Sequence, residues 1–127
     1  MNTIFEPSKT DAKILLTVSY LNEKHLYPNH VGVYKILSGV EDEEVEQYKD
    51  CPTYSTLISV NTKQISRLIL MLVRYKYLEK IYDKETDELY LMVSEKGKAW
   101  LFDYSRKHKI NLSKKAKIKE KTIVKII

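Results

Sequence analysis

The segment from Asn61 to Tyr77 has the strongest helical periodicity in the chain. Asn61 and Gln64 have the spacing of a capping box, in which each side chain bonds the backbone N–H of the other residue. Apolar residues then recur at positions i, i+3, i+4 and i+7, namely Ile65, Leu68, Ile69 and Leu72. At about 100° per residue they form a stripe about 100° wide. The segment therefore predicts an amphipathic helix with one face in a core.

Three basic residues lie on the opposite side of this predicted helix. On the helical wheel Lys63, Arg67 and Arg74 lie about 160°, 200° and 180° from Ile65. Two interpretations fit this cationic line. It is either an ordinary solvent-facing surface or a surface that contacts DNA phosphates, and the free N–H groups near Asn61 and Thr62 at the helix start would favour a phosphate as well.

The rest of the chain predicts three more helices and one hairpin. The first helix runs from about Asp11 to Asn22, with Ser8 or Thr10 as its cap, and Pro28 prevents it from continuing. The second runs roughly from His30 to Leu37 and ends at Ser38-Gly39. Apolar runs at 78–82 and 88–93 on either side of a charged turn at 83–87 predict a β-hairpin, and Ser94 caps a last helix.

This order of elements predicts a winged helix-turn-helix, an α+β but mainly helical fold. It has three helices, a two-stranded β-hairpin as the wing and a further C-terminal helix. The predicted core consists of the apolar residues with periodic spacing: Leu15, Leu16, Ile36, Leu37, Ile65, Leu68, Ile69, Leu72, Leu91, Trp100 and Leu101.

The net charge of +5 is unevenly distributed along the chain. Residues 1–103 carry 13 Lys and Arg against 16 Asp and Glu, whereas residues 104–127 carry nine against one. We therefore expect a lead-in at 1–10, a domain at 11–103 and a lysine-rich tail at 104–127. A +8 tail favours polyanions, and equally suits a solvated end.

The tail itself allows more than one structure. Lysines alternate with other residues from Lys115 to Lys121, as in a strand, although Lys117 and Lys121 are also helical neighbours. The apolar end at 123–127 has three possible docking sites: the rest of this chain, a second copy in a homodimer, or an unknown protein partner.

Composition argues against several classes of function. One cysteine, Cys51, excludes an internal disulfide and a four-Cys zinc site, and the three histidines have no acid or thiol partner at a suggestive spacing. The six acidic residues of 41–50 have no metal-ligand spacing and predict a solvated loop or a single helical turn. We expect no cofactor, no metal and no enzymatic activity.

The same sequence predicts no contact with a membrane. The longest uncharged run has 12 residues and is mostly polar, and the first residues lack the apolar stretch of a secretory signal. We therefore expect a cytoplasmic protein.

From Asp11 to Phe102 the chain resembles the RQC domain, the winged helix that follows the ATPase core of RecQ-family DNA helicases. Four segments carry the resemblance: residues 12–16 of the opening helix, the run Asn29 to Gly39, the run Ile65 to Val73 followed by Tyr77-Leu78, and the run Leu89 to Leu101. The resemblance does not extend to helicase activity, since these residues include no ATPase core. The turn at 83–87 also holds three acids and no aromatic residue, and Lys76 stands where the family often has Gly.

The resemblance implies binding to duplex DNA through the third helix, with Ser59 and Asn61 touching the backbone. Tyr82 and Tyr90 on the wing would offer rings for stacking on an unpaired base. The candidate DNA-binding residues are Ser59, Asn61, Thr62, Lys63, Arg67, Arg74, Tyr82, Lys84, Tyr90, Lys114, Lys115 and Lys117.

Two functions remain open from the sequence. The first is a stand-alone, non-catalytic protein that contacts duplex or junction DNA through its third helix, wing and basic tail. The alternative is a protein-interaction module, in which the acidic residues at 41–50 and the apolar C-terminus engage a partner on a winged-helix scaffold.

Overall fold

The computed structural model describes residues 5–40, 43–57 and 59–108. Helix α1 spans Lys9–Glu23, α2 spans His30–Ser38, α3 is the single turn Glu43–Glu46, and α4 spans Thr62–Arg74. Strands β1, Leu78–Asp83, and β2, Glu88–Val93, form an antiparallel hairpin, and α5, Glu95–Lys107, follows. The fold is α+β and mainly helical, as the sequence predicts, and the acidic segment contributes one helical turn.

Side-chain caps place the starts of the four longer helices. Each helix is preceded by a residue whose side-chain oxygen accepts the backbone N–H three positions later, namely Ser8, Asn29, Asn61 and Ser94. Asn61 and Gln64 form the predicted capping box, and Ser8 rather than Thr10 caps α1. Gly39 ends α2 in the left-handed conformation, with φ of 75°, which glycine adopts without steric cost.

The wing is held to the rest of the molecule along the free edge of β2. Leu91 N–H donates to the carbonyl of Pro28 at 2.8 Å, and Val93 N–H donates to Asn22 Oδ1 at 2.9 Å. The Asn22 amide also donates to the Leu91 carbonyl at 3.3 Å and to the Leu26 carbonyl at 3.0 Å. The Asn22 side chain and the Pro28 carbonyl together therefore satisfy an edge that would otherwise need another strand.

The core lies between α1, α2, α4, α5 and one face of the hairpin. Its largest cluster includes Ile14, Leu15, Val18, Val33, Leu37, Ile65, Ile69, Leu72, Tyr77, Leu78, Leu91, Val93 and Leu101. A second cluster forms around Leu21, Ile36 and Cys51. Three predicted core residues differ from expectation, because Leu16, Leu68 and Trp100 are only partly buried and pack against the edge of the main cluster.

Residues that pack against the fold also lie before and after the domain expected at 11–103. Phe5 stacks on Tyr75 with ring centroids 4.7 Å apart, and Trp100 donates its indole N–H to Glu6. At the other end α5 continues to Lys107, and Ser105 is buried.

Two further properties hold for the described part of the chain. Each helix within residues 5–40, 43–57 and 59–108 is too short or too polar to cross a membrane. In the same ranges, no three His, Cys, Asp or Glu side chains lie close enough together to hold a metal ion.

Candidate nucleic-acid interface

Helix α4 presents the cationic line to solvent. Lys63, Arg67 and Arg74 are all exposed, whereas Ile65, Ile69 and Leu72 on the opposite face are fully buried. Among the described residues, no carboxylate lies within ion-pair distance of these three cations. The spacing alone placed them correctly, because α4 is regular over its whole length. The three charges are thus available to a ligand.

The start of α4 adds backbone donors beside these charges. The capping box bonds the Gln64 N–H to Asn61 at 2.9 Å and the Asn61 N–H to Gln64 at 3.0 Å. The N–H groups of Thr62 and Lys63 stay without partners inside the helix, as is usual in a first turn. Since Ser59, Asn61 and Thr62 are also exposed, this end of α4 can accept an oxyanion.

Two groups that the sequence analysis did not select lie beside α4. His30 Nδ1 is 3.4 Å from Ser66 Oγ, which places the start of α2 against α4. Burial lowers the pKa of His30, and the positive charge of Lys80 on β1 lowers it further. The positive charge of the exposed Lys80 on β1 thus acts on a group at the α2–α4 contact. In the sequence, the only signal for Lys80 was its place in the strand predicted at 78–82.

The tip of the wing has the opposite charge. Lys84 is exposed, but it is the only cation among residues 83–88, which include Asp83, Glu85, Asp87 and Glu88. The Asp83 carboxylate accepts the Glu85 N–H at 2.9 Å and so shapes the turn. This tip does not extend the positive surface of α4.

The two wing tyrosines differ in exposure. Tyr82 is 54% exposed, and its hydroxyl donates to Asp87, a bond that raises the pKa of Tyr82. Tyr90 is half-buried, with its hydroxyl 3.4 Å from Thr86 Oγ1. Tyr90 pairs with Ile81 and Tyr82 with Leu89, so the two tyrosine side chains lie on opposite faces of the hairpin and the structure does not bring them together. The three tail candidates, Lys114, Lys115 and Lys117, lie outside the described residues.

Helices α1, α2 and α4 and the β1–β2 wing define a winged helix-turn-helix, in which α4 has the position of the recognition helix. The family model described as RQC domain matches residues 4–121, and the chain belongs to this family. The RQC domain is the non-catalytic, DNA-binding winged helix of RecQ helicases. Comparisons with curated proteins and with solved structures gave no match.

Proposed function

We propose that this protein binds duplex or junction DNA without catalysing a reaction on it. The observation that carries the proposal is the line of exposed cations on α4, the helix that faces DNA in this fold. Membership of the RQC family supports the same function.

In this proposal the phosphate backbone is the main ligand of α4. Lys63, Arg67 and Arg74 neutralise phosphates, and the N–H groups of Thr62 and Lys63 fix one phosphate at the helix start. Lys80 adds a further cation from the wing side, while the Ser59 hydroxyl and the Asn61 side-chain amide donate hydrogen bonds to the DNA backbone. Contacts of this kind position a protein on DNA and carry little sequence information.

The acidic tip limits how the wing meets DNA. Asp83, Glu85 and Asp87 repel phosphates, so the tip does not lie along a backbone. Tyr82, which precedes Asp83 in the chain, is an exposed aromatic residue that can contact bases rather than phosphates. We therefore assign phosphate binding to α4 and base contact to the tyrosines of the wing.

The proposal is tested by reversing the charges on α4. The triple variant Lys63→Glu, Arg67→Glu and Arg74→Glu should keep the fold, because the three side chains are exposed and such changes shift stability by about 0.5 kcal/mol or less. Its affinity for duplex DNA at low salt should fall strongly. In the unchanged protein, each phosphate contact should contribute about 0.9 to the salt slope.

A matched control separates local contact from net charge. Lys9→Glu, Lys24→Glu and Lys98→Glu change the net charge by the same amount at exposed positions on α1, its C-terminal cap and α5. This control should keep most of the affinity. If the α4 variant is folded and binds duplex as tightly as the control, α4 is not the DNA-binding helix.

A protein-interaction module is the second candidate. Leu70 lies on the outward face of α4 between Arg67 and Arg74 and is 51% exposed, and Val31 at the start of α2 is 47% exposed. Apolar groups on a cationic face suit an acidic, partly apolar protein surface. The charge-reversal experiment decides between the candidates, since unchanged DNA affinity would favour the protein partner.

A further inference from the structure

Three polar side chains from three different elements lie close together beside α4. His30 is the first residue of α2, Ser66 lies on α4 and Lys80 lies on β1. His30 Nδ1 is 3.4 Å from Ser66 Oγ, and the positive charge of Lys80 lowers the pKa of His30. We call these three side chains the His30 cluster. Because residues far apart in the chain supply it, the cluster depends on the fold and not on one helix.

The register of the wing explains why Lys80 belongs to this cluster. Lys80 pairs with Leu91, so the two side chains lie on the same face of the hairpin. Leu91 is buried in the main core, whereas Lys80 is exposed. Lys80 therefore projects from the face of the wing that packs on the helices, at the edge of the core.

The His30 cluster has polar groups that no described residue occupies. Within residues 5–40, 43–57 and 59–108, the His30 ring makes no hydrogen bond besides the contact with Ser66, and Lys80 makes no ion pair. An imidazole N–H, a hydroxyl and an ammonium group all donate hydrogen bonds, and the oxygens of a phosphate accept them. The chemistry of the cluster is therefore that of a phosphate site.

The cluster adjoins the cationic line of α4. Ser66 lies three residues after Lys63, and residues three apart are neighbours on the surface of a helix. On the helical wheel the two side chains are about 60° apart. A duplex held by the cationic line therefore brings further phosphates to the side of α4 on which the cluster lies.

The surroundings of His30 disfavour its charged form in the free protein. Burial lowers the pKa of His30, and the charge of Lys80 lowers it further. The charged residues that the packed elements place around the start of α2 are Lys63 and Arg67 of α4, Lys80 of β1 and Glu88 of β2. Glu88 accepts a hydrogen bond from the Asn29 amide at 3.4 Å, and α1 packs on α2 through apolar core residues. A phosphate would bring negative charge to a group that is otherwise surrounded mainly by cations.

We propose that the His30 cluster binds a phosphate of duplex DNA, and that this phosphate and a proton on His30 bind together. The inference rests on the proposed function, because α4 holds the duplex. His30 Nε2–H and the Lys80 ammonium group donate to the phosphate oxygens. The negative charge stabilises the imidazolium, which takes its proton from the solvent. Protonated Nδ1 then donates to Ser66 Oγ, and the Ser66 hydroxyl donates to the phosphate.

The coupling has a defined sign. The pKa of His30 is lowered in the free protein and rises when the phosphate binds. The affinity for duplex therefore increases as the pH falls through the range between these two pKa values. A rise of about one pKa unit on binding gives an increase of at most about ten-fold.

The test measures the affinity for one duplex from about pH 8 to about pH 5.5, the range in which histidine titrates. Salt is kept low and constant. The affinity of the unchanged protein should rise about five-fold or more as the pH falls. His30→Gln keeps a polar side chain beside Ser66 but cannot take up the proton, so it should lose most of this rise. Any rise that remains in this variant comes from carboxylates.

The other two histidines provide a matched control. His25 and His108 are both exposed, and the double variant His25→Asn with His108→Gln leaves His30 as the only histidine. Asparagine is used at position 25 because His25 has φ of 64°, a left-handed conformation that asparagine tolerates. This control should keep the full rise in affinity at low pH.

NMR of the same control variant follows the proton directly. The imidazole signals of His30, recorded over the pH range without and with duplex, should give a higher pKa in the complex. Adding Lys80→Gln should raise the pKa of His30 in the free protein, because it removes a nearby positive charge. A thermal melt of each variant confirms folding, and the NMR measurement does not depend on the folding of His30→Gln.

The outcomes separate this proposal from the proposed function. Equal pH dependence in the unchanged protein and in folded His30→Gln would overturn the phosphate site and leave duplex binding by α4 in place. A pKa of His30 that stays the same when duplex binds would overturn it in the same way. If the unchanged protein binds no duplex at low salt, the proposed function fails and this inference fails with it.

Discussion

Two leucines of α4 show how burial decides the cost of a substitution. Leu72 is fully buried, whereas Leu68 is partly exposed at the edge of the core. Leu72→Ala should lower the free energy of unfolding by about 2–5 kcal/mol, because it leaves a cavity among packed side chains. Leu68→Ala should cost clearly less. Urea denaturation of both variants measures the difference, and equal losses would mean that the two positions are equally packed.

Two backbone constraints, at Lys76 and Gly97, could not be predicted from residue patterns alone. Lys76 has φ of 71°, so it occupies a left-handed position that suits glycine, in agreement with the resemblance, where glycine is common. Gly97 is required for a different reason, since a Cβ there would lie 2.3 Å from the Tyr77 carbonyl. Neither constraint follows from composition or periodicity, because each depends on where the chain before the wing meets α5.

At the scale of elements, local signals were sufficient for the helices and the hairpin. Caps, glycine and period-3.6 patterns act within a few residues, and these predicted α1, α2, α4 and α5 to within a few positions. The charged turn fixed the register of the wing, which pairs Leu78 with Val93 and Asp83 with Glu88. The role of Asn22 could not be predicted, since its partners Leu91 and Val93 lie far along the chain.

Removing the Asn22 side chain should destabilise the wing. Asn22→Ala leaves the Leu91 carbonyl and the Val93 N–H without protein partners, and should cost about 1–3 kcal/mol. Hydrogen exchange of the Val93 amide should become faster. Asn22→Asp is the matched variant, because it keeps the acceptor for Val93 N–H and loses the donors, and its cost should be intermediate. Unchanged exchange at Val93 in the alanine variant would show that the bond does not hold the edge.

The candidate site also contains some residues that the sequence predicted and others that it did not. Periodicity within α4 identified Lys63, Arg67 and Arg74, because one helix carries all three. The contact of His30 with Ser66 and the effect of Lys80 on His30 required the packing of α2 and the wing beside α4. Sequence patterns therefore reached the part of the site that lies on one element, and missed the parts built from two.

At the scale of the whole molecule, the proposed function and the uneven charge distribution together predict two modes of DNA contact. Within residues 5–108 the cations of α4 are set on a rigid helix, while acidic groups mark the wing tip. Residues 109–127 hold seven lysines against Glu120. Cations on a helix position a duplex, whereas additional lysines elsewhere in the same chain raise affinity without selecting a sequence.

Deleting residues 109–127 tests this division. The cut falls after His108, the C-cap of α5, so Ser105 and the Tyr104–His108 stack are retained. The shortened protein should bind all duplex sequences more weakly by a similar factor, with a flatter dependence of affinity on salt, because fewer counterions are released. Titrations of two unrelated duplexes at two salt concentrations, with a thermal melt alongside, measure both effects. Unequal losses for the two duplexes would assign sequence recognition to the tail, and a large fall in melting temperature would instead make residues 109–127 part of the fold.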